Sequence, residues 1–269
     1  MAVSMLALFV RVAEAQVQID DTPPQPDNDF CFVRTELFPL KKRVLTVFET
    51  NGGILFTAGM TIDADGAPNA YGPHNRGLDL TANARGHHRW SSVVTNRRGR
   101  PVVQKSGPYR GYYISTTSLQ QASIADVRNP KRYIDATTIP YIALPPDFAR
   151  DHDIHLGDLA VVANPDNGRT AYAIFADIGP RGRIGEGSIA LAKELGLPAN
   201  PRHDSVPDGL IYLIFPGSRE VEASHINLLK VSASTDSLYH RWGGMERLQA
   251  LTLAPPETDF VSATGCADE

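Results

Sequence analysis

The chain has 269 residues, 42% of them hydrophobic and 21% charged, with a formal net charge of -4. That length and balance fit a soluble globular protein with a sizeable core and exclude a low-complexity or fibrous chain. The slight acidity argues against a nucleic-acid partner, which would meet a basic surface; it is compatible with a cationic substrate but does not establish one.

Residues 2–10 are a short apolar run, followed by Ala13-Glu14-Ala15, the small-x-small shape of an export cleavage site. The run is too short to span a bilayer. No Lys or Arg precedes it, and Arg11 falls between run and cleavage site, two departures from the usual signal. The expectation is a signal peptide over 1–15, a Pro- and Asp-rich linker over 16–30, a single domain over 31–254 and a loose tail over 255–269. The mature protein would be secreted or periplasmic, with no membrane segment, and monomeric. Cys31 and Cys266 stand near the two ends of the mature chain. They either pair in an oxidising compartment or lie unpaired in tails. Two cysteines are too few for a cysteine-based zinc site.

Residues 44–48 and 54–56 read as strands around the turn Asn51-Gly52-Gly53. Residues 63–89 read as loop. Short strands are expected over 91–95, 101–105 and 111–116, then over 139–144. The next hairpin is clearer: residues 159–163 and 170–176 flank Asn164-Pro165-Asp166-Asn167-Gly168. Both faces of the second strand are apolar, as in a small barrel, and Asp177 stands where it leaves the barrel. Ser188 is placed to cap a helix over 189–195, with Gly196 as its C′ residue and Pro198 beyond. Residues 210–215 form an apolar strand that can close the barrel, and 220–251 read as mainly helical, broken at Gly243-Gly244. Many short strands with few long helices indicate a mainly β fold with a short helix and a C-terminal helical segment.

The stretch FADIGPRGRIGEGSIALAKELG at 175–196 places Asp177 and Glu186 on either side of a glycine-rich loop. Two carboxylates facing each other across a bond are what glycoside cleavage requires, one protonated and one ionised. The same residues also suit turn formation and solvated charge. Asp63, Asp65 and Asp135 are candidate substrate-binding carboxylates, and Tyr71 and Tyr113 candidate sugar platforms. The bland alternatives are a structural turn for the Asp63-Ala64-Asp65-Gly66 run and core packing for the tyrosines. That run begins like a calcium loop, but position 5 is Ala67 and no suitable Glu follows. His87-His88 and His152-x-x-His155 match no zinc pattern. No Gly-x-Ser-x-Gly nucleophile elbow and no phosphate-binding loop occur. No metal and no cofactor are expected.

The run FADIGPRGRIGEGSIALA resembles the chitosanases of glycoside hydrolase family 75. So do MTIDADGAPNAY at 60–71, GYYISTTSL at 111–119 and IPYIALP at 139–145. The likeness covers about residues 55–217, and it implies that the catalytic acids are Asp177 and Glu186. It further implies an endo-acting, inverting hydrolase of β-1,4-linked glucosamine polymers. The string from 156 to 197 is similar to the double-psi β-barrel of RlpA-like lytic transglycosylases. That likeness implies a six-stranded barrel core over about 135–217, with Asp177 as the acid. The first resemblance allows Glu186 as acid and Asp177 as base, the assignment preferred here. Two other functions stay open: a peptidoglycan-cleaving lytic enzyme, and a non-catalytic module that binds cell-wall polysaccharide.

Overall fold

The computed structural model describes residues 32–86, 89–219 and 226–253. The expected signal, linker and tail, Cys31, Cys266 and the His87-His88 pair lie outside them. In chain order the strands are β1 (Phe32–Pro39), β2 (Val44–Thr50), β3 (Gly53–Asp63), β4 (Arg85–Gly86), β5 (Arg89–Trp90) and β6 (Tyr141–Leu144). Helix α1 (Pro146–Asp151), β7 (Leu159–Asn164), β8 (Arg169–Ile178), β9 (Glu186–Ser188) and α2 (Ile189–Glu194) follow. The chain then forms β10 (Ser205–Phe215), α3 (Leu228–Trp242) and α4 (Gly244–Leu253).

Six strands close a barrel in the order β3-β10-β7-β8-β6-β9, and β9 pairs back onto β3. Closure removes the barrel's free edges. The fold is therefore mainly β, with a closed six-stranded barrel, added strands and a C-terminal helical segment. The barrel takes in β3, which lies well upstream of the expected 135–217 core, because β3 pairs with β10 over most of its length. β1 and β2 extend the sheet from β3 as an antiparallel hairpin.

Local sequence explains most elements. Every residue of β7 is buried, and the hairpin to β8 turns at Asn164, whose carbonyl accepts from the Gly168 N–H at 2.9 Å. Ser188 caps α2: its Oγ accepts from the Leu191 N–H at 3.1 Å. Asn227 caps α3 in the same way, and Gly243 ends it with φ 113. The limbs expected over 91–95, 101–105 and 111–116 form isolated bridges rather than continuous strands. Loop glycines let the barrel end close: Gly185 has φ 89, and a methyl there would lie 2.2 Å from the Gly59 carbonyl oxygen.

The core is aromatic at one end. Phe56 stacks on Tyr212 with ring centroids 5.1 Å apart, and Phe148 meets Phe56 edge-on at 5.2 Å. Each such ring, fully buried, stabilises the fold by about 1.5–3 kcal/mol. Helix α3 packs on β7 and β8, and α4 packs on α3; Trp242 Nε1 donates to Thr50 Oγ1 at 2.8 Å. Trp242 is thereby a core residue. No helix among the described residues is long and apolar enough to cross a membrane.

Candidate active site

The end of β8 carries Asp177, and the start of β9 carries Glu186. β6 runs between these two strands. A register shift between Ile142 and Ala143 puts Ala143 opposite Asp177 on one side, and Ala143 pairs with Glu186 on the other. The two acids thus flank one residue, two strand spacings apart, about 10 Å between Cα atoms. The loop between them folds back: a methyl placed on Gly179 would lie 3.0 Å from Glu186 Oε2. β9 also pairs in parallel with β3, with Thr61 opposite Glu186 and Asp63 opposite Ser188. That pairing draws the end of β3 into the same place.

Four carboxylates meet here: Asp63, Asp65, Asp177 and Glu186. Oxygens of Asp63, Asp65 and Asp177 all lie within 4.8 Å of one another, a spacing that could receive a cation or an ammonium group. The tight loop after β3 is held by its own polar contacts. Asp63 Oδ1 accepts from the Asp65 N–H at 2.8 Å, and Tyr71 donates its hydroxyl to Asp65 Oδ1 at 2.6 Å. Tyr141, fully buried, donates to the Asp65 carbonyl at 3.0 Å.

Burial and mutual repulsion favour the protonated forms. Burial, then the Asp177 charge, push Asp63 up to about 7. Burial and the charges of Asp63 and Asp177 hold Asp65 well above the usual carboxylate range. Glu186 is also held well above it by burial, then by Asp63 and Asp177, with Arg183 opposing. Burial raises Asp177 too, but three hydrogen bonds oppose the shift. Its Oδ1 accepts from the Ser118 N–H at 2.8 Å, the Ser118 hydroxyl at 2.6 Å and the Ile178 N–H at 2.8 Å. Such donors favour a charged carboxylate. Asp177 is therefore the member best supplied to carry the negative charge while its neighbours hold protons.

A cavity of about 470 Å³ opens on one side of this cluster, with Asp65, Ser118, Tyr133 and Asp177 in its wall, while Asp63 and Glu186 lie behind that wall and do not line it. Of the residues singled out in the sequence, Asp63, Asp65, Asp177 and Glu186 come together. Asp135 does not join them: its Oδ1 accepts from the Thr137 N–H and hydroxyl, at 2.9 and 2.7 Å, within its own turn. The Tyr71 ring is 2% exposed and serves Asp65 rather than offering a face. Tyr113 is half-buried and meets Trp90 edge-on at 5.6 Å, away from the cavity wall. Ser118 was missed. It sits in the Ser115-Thr116-Thr117-Ser118 run, but nothing local says that this serine meets a residue 59 positions later. Asp79, whose charge also raises Glu186, was missed for the same reason. A second cluster, Glu36, Glu49 and His152, has ligand atoms within 4.8 Å of one another in another part of the fold.

A family model of the fungal chitosanases of glycosyl hydrolase group 75 matches residues 60–240, more than half of the chain. The chain belongs to this family. It is a glycoside hydrolase of the chitosanase type, and such a family points to a polysaccharide substrate. The match runs from the last residues of β3 through β10 into α3, so all four clustered carboxylates of this family 75 hydrolase fall inside it. No curated protein matches the chain.

Proposed function

We propose that this family 75 hydrolase is an endo-acting chitosanase that cleaves β-1,4 linkages between glucosamine units with inversion. Glu186 is the general acid and Asp177 the general base. The observation that carries the reading is the register that sets both acids opposite Ala143, on either side of β6. Inverting enzymes hold their carboxyl groups about 6.5–9.5 Å apart to admit a water. Backbones two strand spacings apart let side chains on one face reach such a separation.

Glu186 gives its proton to the glycosidic oxygen as the bond to the anomeric carbon breaks. Asp177 takes a proton from water as the water oxygen bonds to that carbon from the opposite face. The result is one new reducing end per bond and an inverted anomeric centre. Asp65 and Asp177 make the cavity wall acidic, which suits a polymer with an ammonium on each deacetylated sugar. Asp63 acts behind them, keeping the proton on Glu186. Export to where such polymers occur is part of the proposal, and rests on the apolar run and Ala13-Glu14-Ala15.

The mass of products from chitosan tests this reading. Hydrolysis adds a water to every cleaved bond, so oligomers should carry ordinary reducing ends. Anhydro-sugar ends would instead support lytic cleavage. Saturable binding without product would support a binding module.

A further inference from the structure

The segment 93–115 supplies no carboxylate to the acid cluster. It forms three short extended limbs bridged at Val93–Ser115, Thr95–Pro101 and Val103–Tyr113. The limbs close in a ring of backbone bonds. Val94 N–H donates to Ile114 O at 2.9 Å, Ile114 N–H to Val102 O at 3.1 Å, and Val102 N–H to Val94 O at 2.8 Å. Such a knot is a stiff base for the turns that leave it.

The first turn, 96–100, carries Arg97, Arg98 and Arg100. Asn96 fixes it by accepting at Oδ1 from the N–H groups of Arg98 and Arg100, at 2.9 and 3.1 Å. The second turn, 105–111, carries Lys105 and Arg110. Arg76 secures it: Nη2 donates to the Arg110 carbonyl at 3.0 Å, and the guanidinium lies 4.3 Å from the centre of the Tyr112 ring. All five cations are exposed. No Asp or Glu occurs between residues 80 and 125, and none of the five makes an ion pair with a described residue. The chain as a whole is acidic, so this positive region is local.

We propose that the two basic turns form a binding site for an anionic polysaccharide, separate from the catalytic cavity. Exposed cations without a partner among the described residues are placed to meet acidic groups, and two turns on one rigid base can engage a polymer at more than one point. Sugar is favoured over other polyanions by the aromatic surface between the cations. Tyr109 is 37% exposed and meets Tyr112 edge-on at 6.4 Å, and aromatic faces suit sugar rings. The acidic remainder of the molecule would repel a broad anionic surface such as a membrane or a nucleic-acid duplex. The roots of the knot, Ser92–Val94 and Thr116, lie in the cavity wall, whereas the basic turns themselves do not line it. If the substrate is chitosan, like charge excludes these turns as substrate subsites. They suit instead the acidic glycan with which a polycation associates.

The test uses the full chain and polygalacturonate as the probe, with dextran, duplex DNA and phosphatidylglycerol vesicles alongside. Saturable binding to polygalacturonate, lost at about 0.5 M salt, is expected. The R97Q/R98Q/R100Q and K105Q/R110Q proteins should each bind about tenfold more weakly. Their Tm should stay at the wild-type value, which shows that they are folded, and their chitosan hydrolysis should stay at the wild-type rate. Absent binding, equal binding by the variants, or tighter binding to DNA or vesicles would overturn the proposal. Because binding is read apart from turnover, a wild type inactive on chitosan would count against the catalytic reading and leave this result standing.

Discussion

Ser118 gives Asp177 its chemical character. Both of its donors converge on Oδ1, which leaves Oδ2 as the oxygen that would take a proton from water in the proposed mechanism. Removing the hydroxyl leaves the backbone donor in place but weakens support for the charged form. A base works only when ionised, so activity falls on the acid side as pH drops through its pKa. Ser118→Ala should therefore move the acidic limb of the kcat/KM profile to higher pH and lower kcat about tenfold, one hydrogen bond to a charged group being worth about 1.5–3 kcal/mol. KM should change little, and Ser118→Thr should restore the limb. A serine that only stapled the loop would lower activity without moving the limb; a pH series on the three proteins decides. In the proposed role of general acid, Glu186 would set the other limb, since an acid fails once pH rises through its raised pKa.

At the level of elements, what could be read in the sequence depended on local signals. β7, β8 and β10 carry apolar runs with turn residues at their ends, and α2 carries a serine cap and a following glycine; each forms where expected. β9 has no such signal. Glu186-Gly187-Ser188 becomes a strand only because β3 and β6 flank it, and pairing with partners far away in the sequence leaves no local trace. β1 and α1 were likewise not foreseen. The acids themselves stood out through the glycine-rich loop between them. That Asp63 and Asp65 belong beside them follows from the β3–β9 pairing, whereas Asp135, of the same residue type, turns onto its own loop. Residue type could nominate carboxylates; only tertiary pairing could sort them.

For the molecule as a whole, the cluster makes the candidate site a source of instability. A carboxyl group whose folded pKa lies above its unfolded value stabilises fully below the unfolded pKa, and that contribution is lost as pH rises through the folded one. Asp63, raised from 3.8 to about 7, loses its contribution across that window, and Asp65, Asp177 and Glu186 shift in the same direction. Asp63→Asn keeps an acceptor for the Asp65 N–H but cannot ionise. It should raise Tm at pH 8 by about 5 °C and make little difference at pH 4; equal Tm values for the two proteins at pH 8 would contradict the linkage. This is the stability cost of burying acids where protons must be held and passed. The most direct test of that role is reducing-end release from chitosan by wild type, Asp177→Asn and Glu186→Gln, each shown to be folded. The account predicts turnover by the wild type and a loss of about 100-fold or more in each variant; wild-type rates in both variants would contradict it.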